Sequence, residues 1–129
     1  MREELDNKLF TDFPLLYNKY DDLKNSCMSF GFECGDGWYE LIRELSEKLV
    51  RLIKMTEMDL ELPNPKATQV KEKYGSLRFY MSWSTDAMEE VIREYEERSE
   101  KTCEVCGKEG SIDYKQKWLS CRCQQHRGK

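Results

Sequence analysis

Histidine is almost missing from this chain; His126 is the only one. If it is committed to a metal, no imidazole remains as a general base. Serine and cysteine nucleophiles that depend on a histidine partner fall with it. There is no Gly-x-x-x-x-Gly-Lys phosphate loop and no dinucleotide fingerprint. A nucleobase deaminase needs His-x-Glu or Cys-x-Glu upstream of Pro-Cys-x-x-Cys, but Thr102 precedes Cys103 and no such partner lies upstream. Carboxylate pairs such as Glu96-Glu97 fall on an exposed helix, without the burial that tunes an acid–base pair. These absences argue against an enzyme.

Long apolar runs are missing too, so no membrane span is expected. Met1-Arg-Glu-Glu has no apolar stretch behind it, so no signal peptide is expected and the protein should stay in the cytosol. There, six cysteines read as metal ligands and free thiols, not disulfides. Cys27 and Cys34 lack pair spacing and are expected to be free thiols.

What the chain does have is a pair of metal knuckles at its end. Cys103-Glu-Val-Cys106-Gly107 and Cys123-Gln-Gln-His126 each hold two ligand types with two residues between. The spacing suits one tetrahedral, structural zinc ion bound by Cys103, Cys106, Cys123 and His126, with Gly107 giving the tight backbone of the first knuckle. Cys121 offers a further thiolate, in place of Cys123 or His126. Lys101, Glu104, Lys108, Glu109 and Arg122 make the segment too polar for these cysteines to be apolar core. A redox Cys-x-x-Cys would need a strand–turn–helix setting that the pattern does not provide. Five ligand candidates also favour a closed shell over an open catalytic one.

Charge is unevenly placed. Residues 1–112 carry 16 Lys and Arg against 24 Asp and Glu, a net of −8, whereas residues 113–129 carry 5 against 1, a net of +4. An acidic body repels a phosphate backbone and favours a basic protein partner. The basic end alone is suited to nucleic acid, although such a tail is more often solvated charge.

Residues 3–24 read as two short helices meeting near Thr11–Phe13, with Leu5, Leu9, Leu16, Tyr17, Tyr20 and Leu23 as apolar positions and Pro14 as the interruption. Met28 to Cys34 alternates like a short extended piece. Gly35-Asp36-Gly37 breaks the chain, with Asp36 as the expected N-cap of a helix reaching about Met58, before Pro63 and Pro65. Its apolar stripe is Trp38, Leu41, Ile42, Leu45, Leu49, Leu52 and Ile53, and Glu44–Lys48 and Glu47–Arg51 are expected as four-step ion pairs. Thr68 to Tyr74 and Leu77 to Trp83 alternate about Tyr74-Gly75-Ser76, which predicts a β-hairpin. Ser84-Thr-Asp86 should cap a second helix, Glu89 being the capping-box partner of Asp86. Met88, Val91, Ile92 and Tyr95 form its stripe, and Glu89, Glu90, Glu94, Glu96, Glu97 and Glu100 make it acidic, relieved by Arg93 and Arg98; most such charge is solvated, but the helix is the best candidate for docking on a basic groove. Ile112, Tyr114 and Trp118 are expected to pack beside the metal. The fold class is α+β: long amphipathic helices on a β-hairpin, with residues 1–101 as the body and 102–129 as a zinc ribbon or knuckle mounted on the preceding helix.

The order Gly31-Phe-Glu-Cys-Gly-Asp-Gly-Trp38, Val70-Lys-Glu-Lys-Tyr-Gly-Ser-Leu-Arg-Phe-Tyr80, Cys103-Glu-Val-Cys-Gly107 and Trp118 followed by Cys123-x-x-His126 resembles a family of small zinc-binding proteins carried by phages and prophages. The resemblance begins at about Gly31 and carries the ligand pattern onto Cys103, Cys106, Cys123 and His126; Cys121 departs from it. The chain looks like an anti-CRISPR inhibitor of the type II CRISPR effector nuclease. That resemblance implies a phage counter-defence protein in the host cytoplasm that binds the effector through an acidic surface and blocks target DNA loading, without direct nucleic-acid binding. The alternative is a zinc-ribbon protein that binds nucleic acid or modulates transcription through Lys115, Lys117, Arg122, Arg127 and Lys129.

Overall fold

The computed structural model describes residues 1–17, 26–56 and 64–127. Helix α1 spans Glu3–Asp12 and stops where Pro14 approaches, because proline clashes with the preceding turn and lacks an N–H. The expected break near Thr11–Phe13 is therefore present. Tyr20 and Leu23, expected in a second helix, lie outside the described residues, as do Met58, Pro63 and Lys129.

Met28–Phe30 forms a 3-10 turn, not the expected extended piece. Only Glu33 is strand-like: it bridges Lys71 in parallel, donating to Val70 O and accepting from Glu72 N at 2.9 and 3.0 Å. Side-chain alternation here reflected burial of Met28 and Phe32 against the core rather than pairing along the whole segment.

Asp36–Trp38 is another 3-10 turn, and α2 follows over Tyr39–Met55. Asp36 does not cap it. Its carboxylate accepts from Arg2 N at 2.8 Å and pairs with the Arg2 guanidinium at 2.8 Å, because the start of α1 lies beside it. From α2, Leu41, Ile42, Leu45, Leu49 and Ile53 are buried, as is Trp38 just before it. Full burial of each such side chain contributes roughly 1.5–3 kcal/mol before the entropy of ordering it is subtracted.

Strands β1 (Ala67–Lys73) and β2 (Ser76–Met81) form the antiparallel hairpin, with Val70 opposite Phe79 and Glu72 opposite Leu77. Tyr74, at φ 55, takes the left-handed conformation that a tight hairpin turn demands. Val70, Leu77 and Phe79 fill the buried face. Phe10, Tyr17, Phe32 and Phe79 meet there, with ring centroids 5.0–6.4 Å apart. The Tyr17 hydroxyl bonds Ser46 Oγ at 2.6 Å, which satisfies both polar atoms inside the core.

Helix α3 (Asp86–Ser99) is capped by Thr85, whose side chain accepts from Met88 N at 3.3 Å. The cap is thus one residue earlier than expected. Glu89 bonds the Ser84 hydroxyl at 3.1 Å instead of completing a box with Asp86. Of the four-step pairs expected on α2, Glu44–Lys48 gives way to contacts with α3, Glu44 meeting Arg98 at 3.2 Å and Lys48 meeting Glu94 at 3.9 Å, whereas Glu47 pairs four residues back with Arg43 at 3.7 Å in place of Arg51. A packed neighbouring helix outcompetes pairs worth a few tenths of a kcal/mol each, roughly.

Part of the acidity of α3 is structural. The free edge of β2 presents the N–H groups of Leu77 and Phe79, which point away from β1. Ser99 Oγ accepts the first at 2.8 Å and Glu96 Oε2 the second at 3.0 Å. Two side chains three residues apart on α3 therefore satisfy two donors two residues apart on the strand, and the edge is covered.

Candidate metal centre

After α3, the turn Glu100–Thr102 leads into residues 103–127. Two very short strands, β3 (Ser111–Ile112) and β4 (Cys121–Arg122), pair antiparallel, and a 3-10 turn over Gln124–His126 closes the segment. Each knuckle is built by its own backbone. Gly107 N donates to Cys103 O at 2.9 Å with Gly107 at φ 82, and Cys103 N donates to Lys108 O at 2.7 Å. In the second knuckle, His126 N donates to Cys123 O at 3.1 Å.

The two knuckles bring Cys103, Cys106, Cys123 and His126 together, and their ligand atoms all lie within 4.8 Å of one another. His126 Nδ1 is 3.1 Å from Cys123 Sγ and 3.6 Å from Cys103 Sγ, and Cys106 Sγ is 3.6 Å from Cys123 Sγ. Metal–sulfur bonds of about 2.3 Å and metal–nitrogen bonds of about 2.0 Å, at tetrahedral angles, place neighbouring ligand atoms roughly 3.5–3.8 Å apart. The two 3.6 Å separations match that spacing and the 3.1 Å one is tighter; the four residues form a group that could hold a metal ion. The electrostatics agree at Cys103. Burial opposes ionisation of its thiol, but N–H groups of Cys106, Cys123 and Val105, with His126, outweigh it and bring the thiol down to about 6.

Cys121 is not a member of the group. It is fully buried in the main apolar core, where burial foremost pushes its thiol up to about 11. It is not among the residues whose ligand atoms converge, so it serves as packing. Cys27 and Cys34 are free thiols as well, Cys34 being buried.

Polar contacts fasten the segment to the body. Trp38 Nε1 donates to Thr102 O at 2.8 Å, Gly37 N to Glu104 O at 2.7 Å, and Gly35 N to the Glu104 carboxylate at 2.8 Å. Gly37 is required by closeness: a Cβ there would lie 2.2 Å from Cys103 O. Burial raises the Glu104 carboxyl, against the Gly35 N–H that lowers it. Glu104 and the Gly35-Asp-Gly37 stretch were read from sequence as surface charge and a chain break. The signal was present in the two glycines, but nothing local says what approaches them.

Trp118 and Tyr114 do not pack beside the metal. They are 83% and 72% exposed, and only Ile112 reaches the core, against the Tyr74-Gly75 turn. The body supplies the packing that the knuckles lack, so the loop between β3 and β4 is left outward. Among the described residues, no helix is long and apolar enough to cross a membrane. No protein-family model matches the chain, and neither the curated proteins nor the solved structures contain a match to it.

Proposed function

We propose that this chain is a phage-borne counter-defence protein that works by binding, without catalysis, inside the host cytoplasm. Its partner is the type II CRISPR effector nuclease, and its effect is to keep target DNA from loading. The Cys103, Cys106, Cys123 and His126 group takes zinc as a structural staple. Three thiolates and one imidazole are the donor set that favours zinc over hard cations, and the bound ion supplies cross-linking of the two knuckles.

The observation that carries this reading is the exposed acidic side of α3. Glu96 is engaged with β2, but Glu90 and Glu97 are exposed and enter no ion pair among the described residues. The helix they stand on is anchored at one end by the metal group and along its length by α2 and β2. A rigid acidic ridge suits the positively charged channel in which such an effector seats its guide–target duplex. The resemblance in motif order, from Gly31-Phe-Glu-Cys to Cys123-x-x-His126, supports the choice of partner.

The test is order of addition. Guide-loaded effector is given the protein before or after target DNA, and DNA binding and cleavage are followed separately. Loss of DNA binding only when the protein comes first is expected, and Glu90→Lys with Glu97→Lys should relieve it about tenfold or more. Inhibition of cleavage with DNA already bound would move the action to the nuclease step. No inhibition in either order, across several type II effectors, would overturn the reading.

A further inference from the structure

The outward loop of the metal segment has a composition unlike the rest of the surface. A groove of about 570 Å³ lies beside it, lined by Lys117, Trp118, Arg122, His126 and Arg127 among others. Trp118 is 83% exposed, whereas Trp38 is completely buried, and Tyr114 on the same loop is 72% exposed. An indole left in water without a packing partner is an unspent contact surface.

Three further observations give the groove a ligand chemistry. Residues 113–129 carry a net charge of +4, with Asp113 as their sole acid. Arg122 Nε is buried yet has no hydrogen-bond partner among the described residues. His126 turns Nδ1 to the sulfurs, so Nε2 is the ring nitrogen left to face outward. The groove therefore offers N–H donors and positive charge beside one large aromatic face; its lining also holds the Asp113 carboxylate and the side chains of Ser111, Gln116 and Ser120, and one Arg127 nitrogen already donates to Ser111 and to Arg122 O. The acidic body does not cancel this, because exposed charges beyond about 8 Å are largely screened at physiological ionic strength.

We propose that this groove binds single-stranded nucleic acid, with a base stacked on Trp118 and the flanking phosphates held by Lys117, Arg122 and Arg127. A flat aromatic with cations around it matches a base and its phosphates, and a strand already unpaired pays nothing to present that base. Duplex DNA hides its base faces and gives Trp118 nothing to stack on. The site sits on the metal segment rather than the acidic ridge, so it stands whether or not the partner proposed above is correct.

The test uses the full zinc-loaded chain and a fluorescein-labelled, mixed-sequence single strand of about 15 nucleotides, read by anisotropy over a salt series that includes physiological ionic strength. The expected result is saturable binding that quenches Trp118 fluorescence and has a log–log salt slope of roughly −2, for about three phosphate contacts. Trp118→Ala should weaken it about tenfold, and Lys117→Glu by a similar factor, with zinc stoichiometry and unfolding temperature unchanged. Absence of binding by the wild type, equal binding by Trp118→Ala, or equal affinity for duplex would each overturn the proposal. So would Trp118-dependent binding of polyglutamate in place of the oligonucleotide, which would assign the groove to an acidic protein segment.

Discussion

The body and the metal segment bury tryptophan in opposite ways, and the contrast shows what each relies on. Trp38 is 0% exposed, its Nε1 donating to Thr102 O, while Trp118 is 83% exposed. The body has enough chain to close an apolar core over one face of α2, one face of α3 and one face of the hairpin. Residues 103–127 are too few to do so, and small units of this size generally need metal or disulfide staples. Their buried residues include Cys103, Cys121 and Cys123, two of them in the candidate metal group and one a plug in the core of the body. One region is held by packing; the other docks on it through polar contacts and gathers four residues whose ligand atoms converge.

Removing a ligand should separate the two regions most strongly. Cys103→Ser is expected to take bound zinc from one per chain to none by native mass spectrometry, since ligation contributes on the order of 10 kcal/mol to small zinc folds. Protease cleavage should then concentrate in residues 104–127, with the helices of the body largely retained by circular dichroism. Leu45→Ala is the counterpart: a loss of about 2–5 kcal/mol in denaturant unfolding with zinc stoichiometry intact. If Cys103→Ser left zinc binding unchanged, the four-ligand assignment would fail.

A smaller effect tests the boundary between the regions. Cys121→Ala removes a thiol that lies in the body's core although Cys123, two residues on, belongs to the candidate metal group. It should cost about 1–2 kcal/mol and leave one zinc per chain. Loss of the ion on this substitution would make Cys121 a ligand after all.

The smallest effect concerns the acidic helix. Burial raises the Glu96 carboxyl foremost, and the Phe79 N–H opposes that rise. A carboxyl raised in the folded state disfavours its own charged form there. Stability from this site is full below the ordinary carboxylate range and falls as pH climbs through the raised folded value. Glu96→Gln keeps an acceptor for Phe79 N and removes the charge, so it should lie within about 1 kcal/mol of wild type at neutral pH. Its advantage over wild type should grow as pH rises through that window, which chemical denaturation at several pH values would measure. Glu96→Ala, leaving the N–H unpaired, should instead be destabilising at every pH.

Much of this organisation was written locally. The four ligands follow from two spacings of two residues, the hairpin from alternation about Tyr74-Gly75, and the buried faces of α2 and α3 from three- and four-residue recurrence. These patterns are legible because each depends on residues near one another along the chain. The misread details that matter most for the packing involve distant partners. Asp36 gave up its capping role to Arg2, Lys48 chose Glu94 over Glu44, and Glu96 turned to the edge of β2.

Sequence by itself therefore determined the two main helices, the hairpin and the convergence of Cys103, Cys106, Cys123 and His126, because periodicity and knuckle spacing are short-range geometry. Tertiary structure alone decided that Cys121 is core, that Gly37 makes room for Cys103 O, and that Trp118 stays in water. Each of those outcomes depends on which surface arrives from elsewhere in the chain, and no local pattern encodes that arrival.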